Sequence, residues 1–313
     1  MTKKTIRIIE IALGAVLVLL IVILFVFVKP QNRKPSPPAS AVSSTVTSIE
    51  SSSSEPESSV ASSEVTSSKA SSVSSASASS KPVETVTVTI PEGYTLQKIC
   101  QRLANNGVGD YNTLFKTATT YNFSSYSCIA NASKKNRCFT LEGYLFPATY
   151  EFTKGEAPEK VFGKMLSAFE SNTAVYKSQA AKTGLTFDQA IVLASVIEKE
   201  AGNLKYVSSV SSVFHNRLKA GMKLQADSTI TYMNSLSQAL RDKYKYYYNT
   251  ERFVGLPAGP ICNPGLRALN AAVNPAKTNY LYFCTDKQDP PQYYFAATLD
   301  EHNKNLVKAG LNP

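Results

Sequence analysis

The hydrophobic pattern divides the chain into three regions. Residues 11–28 contain no polar side chain, residues 35–84 are rich in serine and have no aromatic residue, and the remainder shows helical and strand periods. An apolar run of about 18 residues is long enough to cross a bilayer as a helix. The serine-rich stretch buries too little apolar surface to offset the entropy of ordering. We therefore predict a single-pass transmembrane anchor within residues 1–34, a disordered linker over 35–84, and a folded part after it.

Basic residues flank the apolar run on both sides, so the positive-inside rule gives the anchor no clear direction. The short N-terminal side and the long C-terminal side favour a cytoplasmic N-terminus and an extracytoplasmic folded part. We therefore predict a location at the cell membrane. A cleaved signal peptide is the alternative, because Ala39-Ser40-Ala41 fits a cleavage site, but the apolar run is longer than the hydrophobic core of such a peptide.

The first folded region, residues 85–140, has the pattern of a small α/β subdomain. Val and Thr alternate over 85–90 as in a strand, 91–93 form a turn, and Thr95 caps a helix with apolar residues at helical spacing. A second helix is predicted over 111–121. Strand, glycine turn and short helix are similar to the first half of a LysM module, a fold that binds glycan chains elsewhere. A subdomain that only packs on its neighbour is the alternative.

The residues from 186 to 202 predict a central, buried helix. Thr186 and Gln189 have the spacing of a capping box, in which each side chain satisfies a free backbone N–H group. Residues 190–197 are almost wholly apolar, which indicates that protein surrounds the helix on most sides. Gly202 is predicted to end the helix in the left-handed conformation.

Two glutamates, Glu198 and Glu200, lie at the end of this predicted helix. Two positions correspond to about 200° of rotation, so the carboxylates face opposite ways and only one can face a given cleft. Glu198 follows Ala194 and Ser195 by one turn. Such surroundings raise a carboxyl pKa, as a general acid working near neutral pH requires. The alternative is that both glutamates are solvated at the helix end beside Lys199.

Further helices and strands are predicted before and after the central helix. Glycine and proline in 255–261 indicate an ordered, irregular loop. The predicted helices span 158–169 and 205–218, the latter ended by Gly221, with a last helix opened by His302-Asn303, and the predicted strands span 280–285 and 293–297. The fold class is therefore predicted to be α+β.

The folded part has 25 basic and 17 acidic residues, a net charge of +8. This balance suits an anionic surface or polymer. The sequence has no arginine-rich helix and no basic–aromatic repeat, so we predict no nucleic-acid partner and an anionic cell wall as the neighbour. The alternative is that the charge only maintains solubility.

The chain has five cysteines, and no two of them form a CxxC motif. They are Cys100, Cys128, Cys138, Cys262 and Cys284. With two histidines in the whole chain, no zinc-ligand spacing is recognisable, and we predict neither a metal site nor a cofactor. A disulfide between Cys128 and Cys138 is one interpretation of their position around a polar segment. The other interpretation is that both cysteines are free thiols that are buried and pack like small apolar side chains.

Four ordered blocks of the folded part together resemble a known family. They are LEGYLFPATY at 141–150, ASVIEKEAG at 194–202, VFHNRLKAGMKLQADSTITY at 213–232, and YNTERFVGLPAGPICNPGLRALNAAVNPAKTNYLYF at 248–283. From about Val86 onward the chain is similar to the YceG/MltG family of membrane-anchored endolytic murein transglycosylases. The resemblance implies a lysozyme-like catalytic domain over 141–313. The chain departs from the family's usual residues at Ser228, Ala258 and Cys262.

The resemblance implies an enzyme, a lytic transglycosylase acting as a carbon–oxygen lyase on peptidoglycan. It would cleave the β-1,4 bond between N-acetylmuramic acid and N-acetylglucosamine in nascent strands, leave 1,6-anhydro ends, and so terminate strand elongation. The family's catalytic glutamate is the first acid of the E-K-E element, which falls on Glu198. The predicted substrate-binding residues in the matched blocks are Glu142, Asn216, Gln225, Asp227, Thr229, Tyr232 and Asn249. The alternative for each is a hydrogen bond that fixes a loop.

Two other functions stay open from the sequence. One is a non-catalytic peptidoglycan-binding or scaffold protein of cell-wall synthesis, which the LysM-like pattern and the linker favour. The other is a hydrolytic muramidase that uses the same cleft. Partners are expected among peptidoglycan strands, the membrane and wall-synthesis proteins.

Overall fold

A computed structural model of the protein describes residues 84–202 and 204–312. This part of the chain contains eleven α-helices, one 3-10 helix and four strands. In chain order they are β1 (Thr85–Thr89), α1 (Leu96–Asn105), α2 (Tyr111–Thr120), α3 (Ser127–Ala130), β2 (Thr149–Thr153), α4 (Pro158–Thr173), α5 (Tyr176–Lys182), α6 (Phe187–Glu200), the 3-10 helix (Leu204–Tyr206), α7 (Val207–Lys219), α8 (Asp227–Ser235), α9 (Gln238–Tyr248), α10 (Leu266–Val273), β3 (Tyr282–Thr285), β4 (Tyr293–Ala296) and α11 (Leu299–Lys308).

The predicted anchor and nearly all of the predicted linker lie outside the described residues. Within the described ranges, no helix is both long enough and apolar enough to cross a membrane. The combination of helices with two small sheets confirms the predicted α+β class.

Both sheets are antiparallel pairs. β1 pairs with β2, with Thr85 opposite Thr153, and β3 pairs with β4, with Tyr282 opposite Ala296. β2 lies beyond residue 140, where the first subdomain was predicted to end, so the first sheet joins the two predicted regions.

The first subdomain holds α1 in a defined place. The Thr95 side chain caps α1 by accepting a hydrogen bond from the Lys98 N–H, as the sequence predicted. The helix buries Leu96, Ile99 and Leu103 completely and packs on α2. Burial of side chains of this size stabilises a fold by about 1.5–3 kcal/mol each, so the polar face of α1 has a fixed position.

The central helix α6 is enclosed along its apolar length. Residues 190–197 are all buried, and the helix packs against α5, α7, α8 and α10. The predicted capping box is present, with Thr186 and Gln189 each accepting from the other's backbone N–H. Because both the start and the body of α6 are fixed, the two glutamates at its end are held in place.

The predicted left-handed stop at Gly202 is wrong. The helix ends at Glu200, its C-cap Ala201 has φ −92° and ψ 71°, and Gly202 does not have positive φ. The hydroxyl of Tyr293 explains the ending, because it donates to the Glu200 carbonyl at 2.6 Å and accepts from the Gly202 N–H at 2.8 Å. The Tyr293 side chain therefore makes the hydrogen bonds to the backbone at the helix end, and no left-handed glycine is needed there.

Three other features differ from the sequence-based expectation. The last helix begins at Leu299 rather than at His302, because Thr298 and Glu301 form a capping box. Residues 227–235 form α8, which the polar sequence did not predict. The Cys128–Cys138 disulfide is absent, and all five cysteines, each within the described residues, are free thiols.

Gly143→Ala is expected to lower the free energy of unfolding by about 3 kcal/mol, from left-handed strain and overpacking together. Gly143 has φ +91°, and a Cβ there would lie 2.4 Å from Cγ of Pro260 and 3.1 Å from Cγ2 of the buried Ile191. Denaturant titration measures the loss. Gly155→Ala is the matched control, because Gly155 has φ +72° and open space around its Cα. Equal losses in the two variants would show that the Pro260 contact is not important.

Candidate active site

A cavity of about 340 Å³ lies at the C-terminal end of α6. It is formed by three parts of the chain, namely α1 of the first subdomain, the end of α6, and α8. Nine of its ten lining residues carry a polar or charged group, while apolar atoms form the larger part of the lining surface. A few polar groups set in an apolar surface are typical of sites that orient a ligand. The lining residues are Thr95, Lys98, Lys199, Glu200, Asp227, Ser228, Thr231, Tyr232, Ser235 and Ile261.

A second cavity, of about 460 Å³, lies at the opposite end of α6 beside Asp188. The Asp188 carboxylate is already occupied, because Nη2 of Arg137 lies 2.9 Å from each of its oxygens and the Tyr144 hydroxyl also donates to it. Most other lining residues of this cavity are apolar. The first cavity therefore offers the chemistry of an active site, although the second is larger.

Glu200 is the glutamate of α6 that lines the first cavity. Its Oε1 accepts a hydrogen bond from the Ser228 N–H at 3.1 Å, which ties the end of α6 to the first turn of α8. Burial raises the pKa of the Glu200 carboxyl, the Ser228 hydrogen bond lowers it, and the nearby Asp227 carboxylate raises it further. A carboxyl group with a raised pKa beside an open cavity can donate a proton near neutral pH.

Glu198, the predicted acid/base, contacts a different element. Its Oε2 accepts a hydrogen bond from the Gly265 N–H at 3.2 Å, immediately before α10. Burial raises the pKa of Glu198, the Gly265 N–H lowers it, and the neighbouring Glu92 raises it. Glu198 is half-buried and is not one of the residues that line the 340 Å³ cavity. The two carboxylates thus face α10 and α8, as their helical spacing predicted.

Glu142 lies behind the cavity wall. It is 1% exposed, and its Oε1 accepts from the Leu96 N–H at 2.9 Å and from Nδ2 of Asn263 at 3.0 Å. Its Oε2 accepts from the Tyr232 hydroxyl at 3.2 Å. Burial raises the pKa of Glu142 to about 8. This carboxyl was predicted to bind substrate, and that role stays a prediction; in the structure protein encloses it and its hydrogen bonds hold the Tyr232 ring and the start of α1.

Asp227 and Tyr232 are the two predicted substrate-binding residues that line the cavity. Asp227 is the first residue of α8 and is exposed, whereas the Tyr232 side chain is buried. Two residues of the matched block at 213–232 therefore line this cavity, on a segment that the sequence did not predict to be a helix.

Asn216 and Arg217 fix a backbone segment outside the cavity. Nδ2 of Asn216 donates to the carbonyls of Thr278 and Tyr280 at 3.0 and 2.9 Å. Nη1 of Arg217 donates to the Leu224 carbonyl at 2.8 Å. These contacts are the loop-fixing hydrogen bonds of the alternative interpretation.

The remaining predicted residues also make local contacts away from the cavity. Thr229 is fully buried and donates to the Ala226 carbonyl at 2.8 Å. Gln225 has φ +50° and its N–H donates to the Thr250 carbonyl at 3.2 Å. Asn249 borders a separate cavity of about 210 Å³. The hydrogen bonds of Thr229 and Gln225 fix the turn into α8, whereas Oδ1 of Asn249 accepts from the Glu251 N–H at 3.0 Å.

Sequence reasoning did not select Thr95, Lys98 or Ser228 for the site. Thr95 and Lys98 are three positions apart at the start of α1 and so share one face of the helix. Nothing in the sequence brings that face to α6, because the contact depends on how the first subdomain packs. Among the described residues, no group of three His, Cys, Asp or Glu side chains is arranged to hold a metal ion.

Comparison with known proteins gives consistent matches. The profile of the YceG-like family matches residues 57–308. An endolytic murein transglycosylase of Streptococcus pneumoniae strain R6 is 31% identical over 253 residues, covering 73% of this chain and 46% of that protein. An endolytic murein transglycosylase of Bacillus subtilis strain 168 is 37% identical over 182 residues, covering 56% of this chain and 49% of that protein. The chain spans about half the length of these curated relatives.

A solved structure also resembles the fold. The 2.6 Å crystal structure of a yceG-like protein from Listeria monocytogenes is 33% identical, with a TM-score of 0.62. The match covers 71% of this chain and 76% of that one.

Proposed function

The chain belongs to the YceG-like family, and from this we propose that it is an endolytic lytic transglycosylase of peptidoglycan. The enzyme cleaves the β-1,4 bond between N-acetylmuramic acid and N-acetylglucosamine in nascent strands and leaves 1,6-anhydro ends, which stops strand elongation. The observation that carries this proposal is the half-buried carboxyl of Glu200, which has a raised pKa and lines the 340 Å³ cavity.

The acid/base is assigned on the position of the two carboxyls. The motif predicted Glu198, and that role stays a prediction. The cavity favours its neighbour, because a proton donor must reach the glycosidic oxygen and only Glu200 of the two lines the cavity. The Glu198 carboxylate instead accepts the Gly265 N–H before α10, where a negative charge stabilises the start of a helix. We therefore propose Glu200 as the acid/base.

One carboxyl is sufficient for the reaction. Glu200 donates its proton to the leaving glycosidic oxygen as the bond from that oxygen to C1 of the muramyl residue breaks. The resulting carboxylate takes the proton of the C6 hydroxyl as that oxygen bonds to C1. The ring closes, the carboxyl recovers its proton, and no water is consumed. Burial of Glu200 raises its pKa and keeps the acid form available for the first step.

A hydrolytic muramidase is the second candidate, and Asp227 is the observation that favours it. Asp227 lines the same cavity as Glu200 and raises its pKa. Glycoside hydrolases use two carboxyl groups about 5–9 Å apart, one as acid and one as nucleophile or base. Asp227 is the second carboxyl that such a mechanism requires.

The product distinguishes the two reactions. Purified peptidoglycan strands are digested with the full chain, and the fragments are identified by mass spectrometry. Anhydro-muramyl ends, 18 Da lighter than reducing ends by the mass of one water, are expected. Reducing ends would establish hydrolysis instead. Intact strands would establish the binding or scaffold function.

The finer organisation is also proposed. Residues 1–34 anchor the protein in the cell membrane with the N-terminus in the cytoplasm, and residues 35–84 link the anchor to an extracytoplasmic catalytic domain. The region from 85 is a LysM-like subdomain, and the pairing of β1 with β2 supports extending it from 140 to about 153. Peptidoglycan strands are the proposed substrate, and wall-synthesis proteins are the proposed partners.

A further inference from the structure

The cavity that contains Glu200 is lined by two lysine and two carboxyl side chains that form no ion pairs within the described part of the chain. Lys98 comes from α1, Lys199 and Glu200 from α6, and Asp227 from α8. Across residues 84–202 and 204–312, none of the four forms a salt bridge. Charges that stay unpaired around a cavity are available to a ligand, because their interaction with solvent is given up only when the ligand binds.

Lys98 has a defined backbone position and an exposed side chain. Its N–H donates to the Thr95 hydroxyl at 3.3 Å, and the neighbouring Leu96 N–H donates to the buried Glu142 carboxyl at 2.9 Å. These two hydrogen bonds fix the first turn of α1. Lys199 is also exposed at the cavity, with Nζ 3.5 Å from the Gly93 carbonyl. The two lysines therefore line one cavity from two different elements.

Resting on the proposed function, we infer that Lys98, supported by Lys199, binds a carboxylate carried by the muramyl residue of the substrate. The sugar backbone of a peptidoglycan strand has no charge, so its anionic groups belong to the muramyl substituents. An ammonium group attracts such a carboxylate as a point charge and adds to its local concentration. The first subdomain would then select acidic strands at the catalytic cavity itself.

Lys98 could instead act by shifting the pKa of the acid/base Glu200, but the contacts of Glu200 do not indicate that role. The pKa of Glu200 is set by burial, by Ser228 and by Asp227, and Lys98 is not among its causes. Loss of Lys98 is therefore expected to raise KM with little change in kcat or in the pH profile.

The carboxylate that Lys98 binds could belong to the stem peptide or to the lactyl group of the muramyl residue. Three ligands distinguish these two sources. Strands with stem peptides carry peptide carboxylates, whereas strands treated with a muramyl amidase lose the peptides and expose the lactyl carboxylate. Oligomers of N-acetylglucosamine carry neither. Binding of each ligand is measured by calorimetry. The full chain carries Glu200→Gln in every case, so that turnover does not interfere. This variant is compared with the double variants that add Lys98→Ala or Lys116→Ala. Lys116 is exposed on α2 and does not line the cavity, so its replacement matches the change in net charge.

Lys98→Ala is expected to weaken binding of at least one carboxylate-bearing ligand by about tenfold, the usual effect of losing a contact with a charged group. Binding of the neutral oligomers and all binding by the Lys116→Ala chain should stay unchanged. Loss with peptide-bearing strands alone identifies the peptide carboxylates, and loss with amidase-treated strands identifies the lactyl group.

Equal weakening of all three ligands, or of none, would overturn the inference. Because the readout is binding, a chain that discriminates through Lys98 but releases no anhydro ends would refute the transglycosylase reaction and leave this inference intact. Cleavage that releases anhydro ends, with no effect of Lys98→Ala on binding, would support the transglycosylase reaction and refute this inference.

Discussion

Glu200→Gln is expected to lower the rate of strand cleavage by roughly 10³–10⁴-fold, the upper range for loss of a general acid/base. Glutamine keeps the size of the side chain and its acceptor for the Ser228 N–H, the contact that ties α6 to α8. It cannot deliver a proton to the leaving oxygen or accept one from the C6 hydroxyl. Release of anhydro-muramyl ends over time measures the rate, and circular dichroism with thermal unfolding establishes that the variant is folded.

Glu198→Gln is the matched control, because it makes the same change two residues away on the same helix. Its carboxylate accepts the Gly265 N–H, so the variant is expected to lose some stability at the start of α10 while cleavage falls by less than about tenfold. If instead Glu198→Gln abolishes cleavage and Glu200→Gln does not, the acid/base is Glu198, as the E-K-E motif predicted.

The pH profile gives an independent test of the same assignment. The pKa of Glu200 is raised by burial, and the reaction begins with the protonated form, so kcat/KM is expected to fall as pH rises through that raised pKa. Replacing Asp227 by Asn removes a charge that raises this pKa, so the alkaline limb of the profile should move to lower pH. An unmoved limb would show that the titrating group is not near Asp227.

The end of α6 shows how far the sequence predicted the site. The capping box and the apolar residues of α6 are local patterns, and the spacing of Glu198 and Glu200 predicted their divergence from helix geometry alone. Which carboxyl faces the cavity depends on where α8 and α10 pack, and those contacts are long-range. The motif predicted Glu198, the cavity favours Glu200, and the two assignments differ by two residues on one helix.

The differences between the sequence-based expectations and the structure have the same origin. Glycine is the residue type that typically ends a helix, which is why Gly202 was predicted to do so. Instead the Tyr293 hydroxyl, 91 positions later, accepts a hydrogen bond from the Gly202 N–H. Glu142 is the one carboxylate of the matched block at 141–150, and residues of α1 and α8 enclose its carboxyl, so its predicted contact with substrate stays a prediction. Lys98 was not selected, since only the packed position of the first subdomain brings α1 to the cavity.

Glu142→Gln is expected to remove a large part of the pH dependence of stability. The pKa of Glu142 is about 8 in the folded protein against 4.5 for the free group. Between these values the native state holds a proton that the unfolded state has released, so the free energy of unfolding falls as pH rises. The contribution is fully present below pH 4.5 and is lost above about 8. At about 1.4 kcal/mol for each pH unit, the total loss is roughly 5 kcal/mol.

The comparison with glutamine isolates this group. The amide imitates the protonated acid, because its oxygen can accept from the Leu96 N–H and Nδ2 of Asn263 and its NH₂ group can donate to the Tyr232 oxygen. The wild-type chain should therefore match the variant near pH 5 and become less stable than it as pH approaches 8, as measured by denaturant titration at each pH. Glu170→Gln is the control of opposite sign, because hydrogen bonds from Ser127 and Cys128 oppose its desolvation and lower its pKa, so its contribution is lost as pH falls. A constant difference between the wild type and Glu142→Gln from pH 5 to 8 would mean that water or a cation reaches this carboxyl in solution.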